Sequence, residues 1–332
     1  LGCSLSSSSS RMADEEEVNE DNGGNEQEDE EQDTKVQAEK LKDFLAKLSG
    51  GKDQVNAWFE DFSKRPPRFE AFLANMPKNK YKNVIMYDAS RVTLNDSHGK
   101  SDYYHASWVD SYERKNGYIL AQAPFDNQTD QDFWRLVINT RPSLVLLLTN
   151  CKKNDKRVVR KFWPDDRLKK EVCDGEIVIR CVESESERDH ERYDFSVSEF
   201  GKVVCRMGIM QMKGWTSDRN IPETLLEYRA SVKIALARIN REAKKTKAPP
   251  GPVIVMCPTG VHRAGTFVGL DIILDRISKE RKVGLFETVT ILRQQRYGCF
   301  SHFDHYSGVA NIVVRHAVSS NIVNHDAIAA KR

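Results

Sequence analysis

Apolar residues recur along this chain with two periods, and the change from one to the other is sharpest around residue 257. Val253 to Met256 is a short, β-branched apolar run ending on Cys257, the pattern of a buried strand. From Ala264 the period becomes helical, with Phe267, Leu270, Ile273 and Leu274 on one stripe. A strand therefore feeds a tight loop that feeds a helix. The alternation extends upstream: Tyr118 to Pro124 and Leu144 to Thr149 read as strands on either side of a helix from Thr129 to Ile138. Further strands are predicted at Glu176 to Cys181 and Lys202 to Met212, with a charged hairpin at Glu183 to Arg192 between them. A long helix from Thr224 to Lys244 stops at the turn Pro249 to Pro252, and helices at Leu285 to Gln295 and His305 to Ala317 follow. Nearer the start, Val36, Leu41, Phe44, Leu45 and Leu48, then Val55, Trp58, Phe59 and Phe62, predict two amphipathic helices ahead of Pro66-Pro67. Strands alternating with helices predict an α/β fold: one domain over residues 35–325, a twisted mixed sheet flanked by helices.

Composition narrows the class. The 332 residues are 39% hydrophobic, ample for a core of that size. Charge is uneven: residues 14–33 hold twelve Asp or Glu and Arg11 is the only base before them, so the remainder carries +13 although the whole chain sums to +2. Residues 1–34 are predicted to be a disordered acidic tail. It reads first as a solubilising tail and second as an electrostatic mimic of substrate that folds over the basic body. Met12-Ala13-Asp14 resembles a translation start, which makes Leu1 to Arg11 an addition ahead of it. There is no apolar run of membrane-spanning length and no apolar signal region, so a cytoplasmic protein without a membrane span is expected. The seven cysteines are scattered and lack metal-ligand spacing, which agrees with free thiols in a reducing compartment and with no metal or other cofactor. The bases are spread along the body, which argues against a nucleic-acid partner.

The candidate chemistry sits in Cys257-Pro-Thr-Gly-Val-His-Arg263. In a loop between strand and helix, backbone N–H groups converge on the centre and the helix N-terminus adds positive potential, so Pro258, Thr259, Gly260, Val261 and His262 would line an anion site. Arg263 can grip two phosphate oxygens at once. The same field lowers a thiol pKa from about 8.5 into the range of roughly 3.5 to 7.5, and a thiolate under a bound phosphate is a phosphoryl-accepting nucleophile. Cys151 to Arg157 repeats the spacing without a glycine and within a lysine run, which marks it as a decoy; the copy at Cys257 has Gly260 inside and Gly265 just beyond. The plainer alternative is an inert cysteine buried at a strand end. Pro77 to Val84 is a polar loop holding Tyr81 between basic side chains, the make-up of a binding loop.

Taken together these segments resemble the cysteine-dependent, phosphotyrosine-specific protein tyrosine phosphatase family, of non-receptor-like kind, from about Phe59 to Val318. Asn79-Lys80-Tyr81 is similar to the family's Asn-Arg-Tyr substrate loop, Ser90-Arg91-Val92 to its Ser-Arg-Val, and Asp102 to Ser107 to its Asp-Tyr-Ile-Asn-Ala-Ser. Tyr118 to Pro124, Phe133-Trp134, Phe162-Trp163-Pro164 and Arg293 to Gly298 resemble its Tyr-Ile-Ala-Thr-Gln-Gly-Pro, Phe-Trp, Tyr-Trp-Pro and Arg-x-x-Arg-x-Gly. The resemblance implies dephosphorylation of tyrosine-phosphorylated proteins through a phosphocysteine on Cys257, with Arg263 on the phosphate and Tyr81 stacked on the ring.

Departures cluster on turnover. Against the family's His-Cys-Ser-x-Gly-x-Gly-Arg-Ser/Thr-Gly, Met256 replaces the His that helps keep the thiolate ionised. Ala264 lacks the hydroxyl that stabilises the leaving thiolate. His262 reads either as a cation beside the thiolate or as an outward side chain. Trp163-Pro164-Asp165 spells the family's acid loop in the wrong segment, as a structural turn; the positional match is Trp215 to Pro222, where Ser217 holds the acid's place and Asp218 follows one residue late. Ser301 and His305 stand for two glutamines, the first of which positions the hydrolytic water; Asn83 replaces an Asp that grips the peptide backbone, and Lys153 falls near the family's loop glutamate. The expectation is phosphotyrosine recognition with impaired hydrolysis, the alternative a pseudophosphatase acting as a phosphotyrosine-binding module.

Overall fold

A computed structural model describes residues 67–95, 101–151, 159–216, 220–247 and 249–320. The helices predicted between Val36 and Phe62 lie outside these, as do Lys153, Ser217 and Asp218. The strands are β1 Arg91–Thr93, β2 Tyr103–Val109, β3 Tyr118–Gln122, β4 Leu144–Leu147, β5 Lys169–Val172, β6 Ile177–Ser186, β7 His190–Glu199, β8 Lys202–Met212 and β9 Val253–Cys257. The α-helices are α1 Glu70–Ala74, α2 Asn127–Thr140, α3 Leu225–Thr246, α4 His262–Glu280, α5 Leu285–Gln295 and α6 Phe303–Ser319. Among the described residues the strands form one mixed sheet in the order β1-β2-β3-β9-β4-β8-β7-β6-β5. The centre, β3-β9-β4-β8, is parallel and the flanks are antiparallel.

The β-branched run of β9 is continuous because both faces of that strand are covered. Val253, Val255 and Cys257 face a core shared with α3, α4, α5 and α6, whereas Ile254 and Met256 face the opposite core under α2. Helices thus leave the carboxyl ends of the adjacent strands β3 and β9 towards opposite faces. That reversal opens a crevice at the strand ends, the usual ligand position in such sheets.

The strands β1, β2 and β5 were not predicted, and other elements differ in extent. The hairpin expected at Glu183 to Arg192 is mostly ladder: Glu183 pairs with Asp194 and Ser186 with Glu191. These strands run past the edge of the core, so their side chains are polar and the hydrophobic alternation that announces a strand is missing. β4 stops at Leu147 rather than Thr149, and α4 begins at His262 rather than Ala264.

Candidate active site

The crevice is built around the turn from β9 into α4. Cys257 is fully buried at the end of β9, where it pairs with Gln122 of β3, and its carbonyl accepts from Ala123 N–H at 3.0 Å. Gly260 then takes φ +66°, and its N–H returns to the Cys257 carbonyl at 3.2 Å. A Cβ there would stand 2.3 Å from the backbone carbon of Ala121, so only glycine fits. Pro258, Thr259 and Val261 are buried. The Thr259 hydroxyl lies 3.5 Å from Cys257 Sγ and accepts from the N–H groups of Val261 and His262, each at 3.3 Å.

Arg263 opens α4 and is 6% exposed. Its Nη1 donates to the Leu148 carbonyl at 3.2 Å and to the Trp215 carbonyl at 2.9 Å. The guanidinium is thereby tied to the end of β4 and to the buried residue that leads into the Asp218 segment. His262 stacks its ring on His302, centroids 4.8 Å apart, and meets His305 edge-on at 6.1 Å. Ser301 is exposed and His305 buried at the other side of this contact. Ala264 packs in the core with α3 to α6, and Met256 fills the core under α2. Neither brings a polar group to the loop.

The substrate-loop candidate is brought to the same place. Gln122, beside Cys257, accepts from Lys80 N–H at 3.1 Å and donates Nε2–H to the Lys78 carbonyl at 2.7 Å. Asn79 is buried, accepts from the Tyr103 hydroxyl at 2.6 Å and donates to the Phe72 carbonyl at 3.1 Å. Lys78 Nζ reaches Asp132 of α2 at 2.9 Å. Tyr81 is half-buried, with Lys80 Nζ 5.6 Å from its ring centre.

A second layer was not singled out from the sequence. Arg296, fully buried, donates to the Gly260 carbonyl at 3.2 Å, to Ser107 Oγ at 3.0 Å and to His105 Nδ1 at 2.8 Å. His105 Nε2 lies 2.9 Å from the Val84 carbonyl. A carbonyl only accepts, so Nε2 carries the hydrogen and Nδ1 offers its lone pair to Arg296. Burial, then the Arg296 charge, pushes the His105 pKa down to about 3, so the ring is neutral. Burial also lowers Arg296 to about 10, which leaves it charged at neutral pH. Gly260 of the Cys257 to Arg263 loop and Val84 of the Pro77 to Val84 loop are thus joined through Arg296 and one neutral imidazole. The available signal was Arg296 and Gly298 in the Arg-x-x-Arg-x-Gly run.

Burial holds other thiols protonated. Burial drives Cys299 up to about 12, and its Sγ donates to the Val261 carbonyl at 3.8 Å; Cys151 is likewise pushed to about 12. The remainder of the Cys151 copy lies outside the described residues. Asp165 of the Trp-Pro-Asp turn is exposed and paired with Lys161 at 2.5 Å, while Trp163 packs on Phe162 and Tyr193.

A family model described as protein-tyrosine phosphatase matches residues 75–315. The chain belongs to the protein tyrosine phosphatase family. Receptor-type tyrosine-protein phosphatase S of Gallus gallus is 31% identical over 259 residues, which cover 74% of this chain and 16% of that relative. Receptor-type tyrosine-protein phosphatase F of Homo sapiens is 32% identical over 225 residues, 67% of this chain and 11% of the relative. The chain therefore spans a small fraction of these relatives' length. Among solved structures, the crystal structure of the catalytic domain of human protein tyrosine phosphatase non-receptor type 18 superposes with a TM-score of 0.65 at 23% identity. It covers 82% of this chain and 97% of the other, which establishes the tyrosine phosphatase fold. Among the described residues no helix is long and apolar enough to cross a membrane.

Proposed function

We propose that this member of the family is cytoplasmic, recognises phosphotyrosine in proteins and retains cysteine-based dephosphorylation in outline, with turnover impaired. The observation that carries the reading is the curled Cys257 to Arg263 loop, with a buried thiol at one end and a buried guanidinium at the other. In the first step Cys257 Sγ attacks phosphorus, the bond to the phenolic oxygen breaks, and the electron pair leaves on that oxygen, which takes a proton from an acid. Asp218, the candidate acid of the sequence, stands one residue beyond the acid's place and reads as a bystander, which leaves the proton to solvent. In the second step water attacks the phosphocysteine, the S–P bond breaks, and thiolate and inorganic phosphate separate. Arg263 and the loop N–H groups hold the phosphoryl oxygens through both steps, and Tyr81 stacks on the ring, at a depth that favours phosphotyrosine over phosphoserine. No metal or cofactor enters the scheme.

A second reading, a pseudophosphatase that binds phosphotyrosine and shields it, is favoured by one feature. Ala264 is packed in the core without a hydroxyl, and Ser301 and His305 replace amides. Ala264 and Ser301 bear on the second step, and none of the three departures removes the thiol or the guanidinium. Arg263→Ala is expected to abolish binding of a phosphotyrosine peptide under either reading. A mutant that binds as the parent does would remove the anion site. Turnover of nitrophenyl phosphate, whose leaving group needs little help from an acid, separates the readings: slow hydrolysis supports the enzyme, none the module.

A further inference from the structure

The Thr259 hydroxyl stands where the loop would hold an oxygen of its ligand. Thr259 is 7% exposed, and its Oγ1 meets two inward backbone N–H groups at 3.3 Å and Cys257 Sγ at 3.5 Å. A hydroxyl has one hydrogen and two lone pairs. Both lone pairs are engaged by Val261 and His262, so the hydrogen is left for Sγ. An oxygen of a bound phosphate would take the same two N–H groups above the same sulfur. Gly260 is held at φ +66° against β3, which fixes the backbone of the loop. The side chain of Thr259, unlike that backbone, can leave by rotating about χ1.

We propose that Thr259 caps its own oxyanion cradle and thereby weakens the site for every phosphate it takes, an inference that rests on the anion-site reading above. The bonds to be displaced are neutral and long, whereas a dianion makes charge-assisted ones about twice as strong. An aryl phosphate with additional contacts to the Tyr81 loop outcompetes the cap. Inorganic phosphate, with nothing beyond the cradle, does so poorly. The cap therefore lowers the affinity for phosphoester and free phosphate by the same factor, and free phosphate, without contacts to the Tyr81 loop, is left the weaker ligand.

The test is calorimetric titration of inorganic phosphate into the full chain, the Thr259→Ala variant and the Thr259→Ser variant, with thermal melting to confirm that each is folded. Two lost bonds of net about 0.5–1.5 kcal/mol each predict roughly tenfold tighter phosphate binding by Thr259→Ala. Thr259→Ser keeps the hydroxyl and is expected to match the parent. Equal affinity of Thr259→Ala and parent overturns the cap and leaves the anion site standing. Tightening by Thr259→Ser as large as by Thr259→Ala overturns it too, since the methyl would then be the obstacle. Binding by none of the three, nor of a phosphotyrosine peptide by the parent, removes the cap together with the anion site.

Discussion

Gly260 is where backbone and site are least separable. At φ +66° and with Ala121 backbone 2.3 Å from any Cβ, Gly260→Ala combines left-handed strain with a clash against a central strand. A loss of about 1–3 kcal/mol is expected from the strain alone, read as a lower urea midpoint together with lost phosphopeptide binding; an unchanged midpoint would contradict the geometry. His105 supplies a pH signature. Its pKa is about 3 in the folded chain against an ordinary 6.5. Below the ordinary value the unfolded chain binds a proton that the folded chain refuses. Stability is therefore lost as pH falls from 6.5 towards 3, by at most about 1.4 kcal/mol per pH unit. His105→Asn is expected to flatten that part of the acid branch in urea titrations, and a parallel branch would remove His105 from the account. The glycine was legible in the sequence because φ preference is local. The His105 to Arg296 contact was not: it joins positions 191 residues apart and leaves no periodic trace.

Elements were legible where apolar residues form a run or a helical stripe; β2, almost wholly buried, was not, because His105 and Ser107 interrupt its run. β9, β8 and α5 fall where periodicity puts them, because burial writes a strict pattern. β7 went unread: charged residues stand on both its faces at this end, Glu191 on one and Arg192 and Asp194 on the other. The candidate substrate loop stood out by its residues; its attachment did not, and it includes two hydrogen bonds to Gln122. Gln122→Ala is expected to weaken phosphotyrosine peptides roughly as much as Tyr81→Ala does, at about 0.5–1.5 kcal/mol per lost bond. Phosphoserine peptides, too short to reach Tyr81, would lose little in either variant. Calorimetry with matched peptides reads the difference, and equal losses for both peptides would dissociate the loop from ring recognition.

At the scale of the molecule, a body of +13 follows a head of −11, and exposed charges interact across about 8 Å at physiological salt. Deleting residues 1–34 is expected to leave the melting temperature and phosphopeptide affinity unchanged; tighter binding without the tail, strongest at low salt, would instead support the substrate-mimic reading. The central claim is that recognition has outlasted turnover, and the most direct measurement is rapid-quench hydrolysis of one phosphotyrosine peptide by parent and Asp218→Asn, beside the parent's affinity for that peptide. The account predicts firm binding, hydrolysis far below the 1 to 10³ per second typical of enzymes, a burst of tyrosine peptide no larger than one equivalent of protein, and no change in Asp218→Asn. Hydrolysis by the parent within that ordinary range, lost by roughly 10²-fold or more in Asp218→Asn, would contradict it.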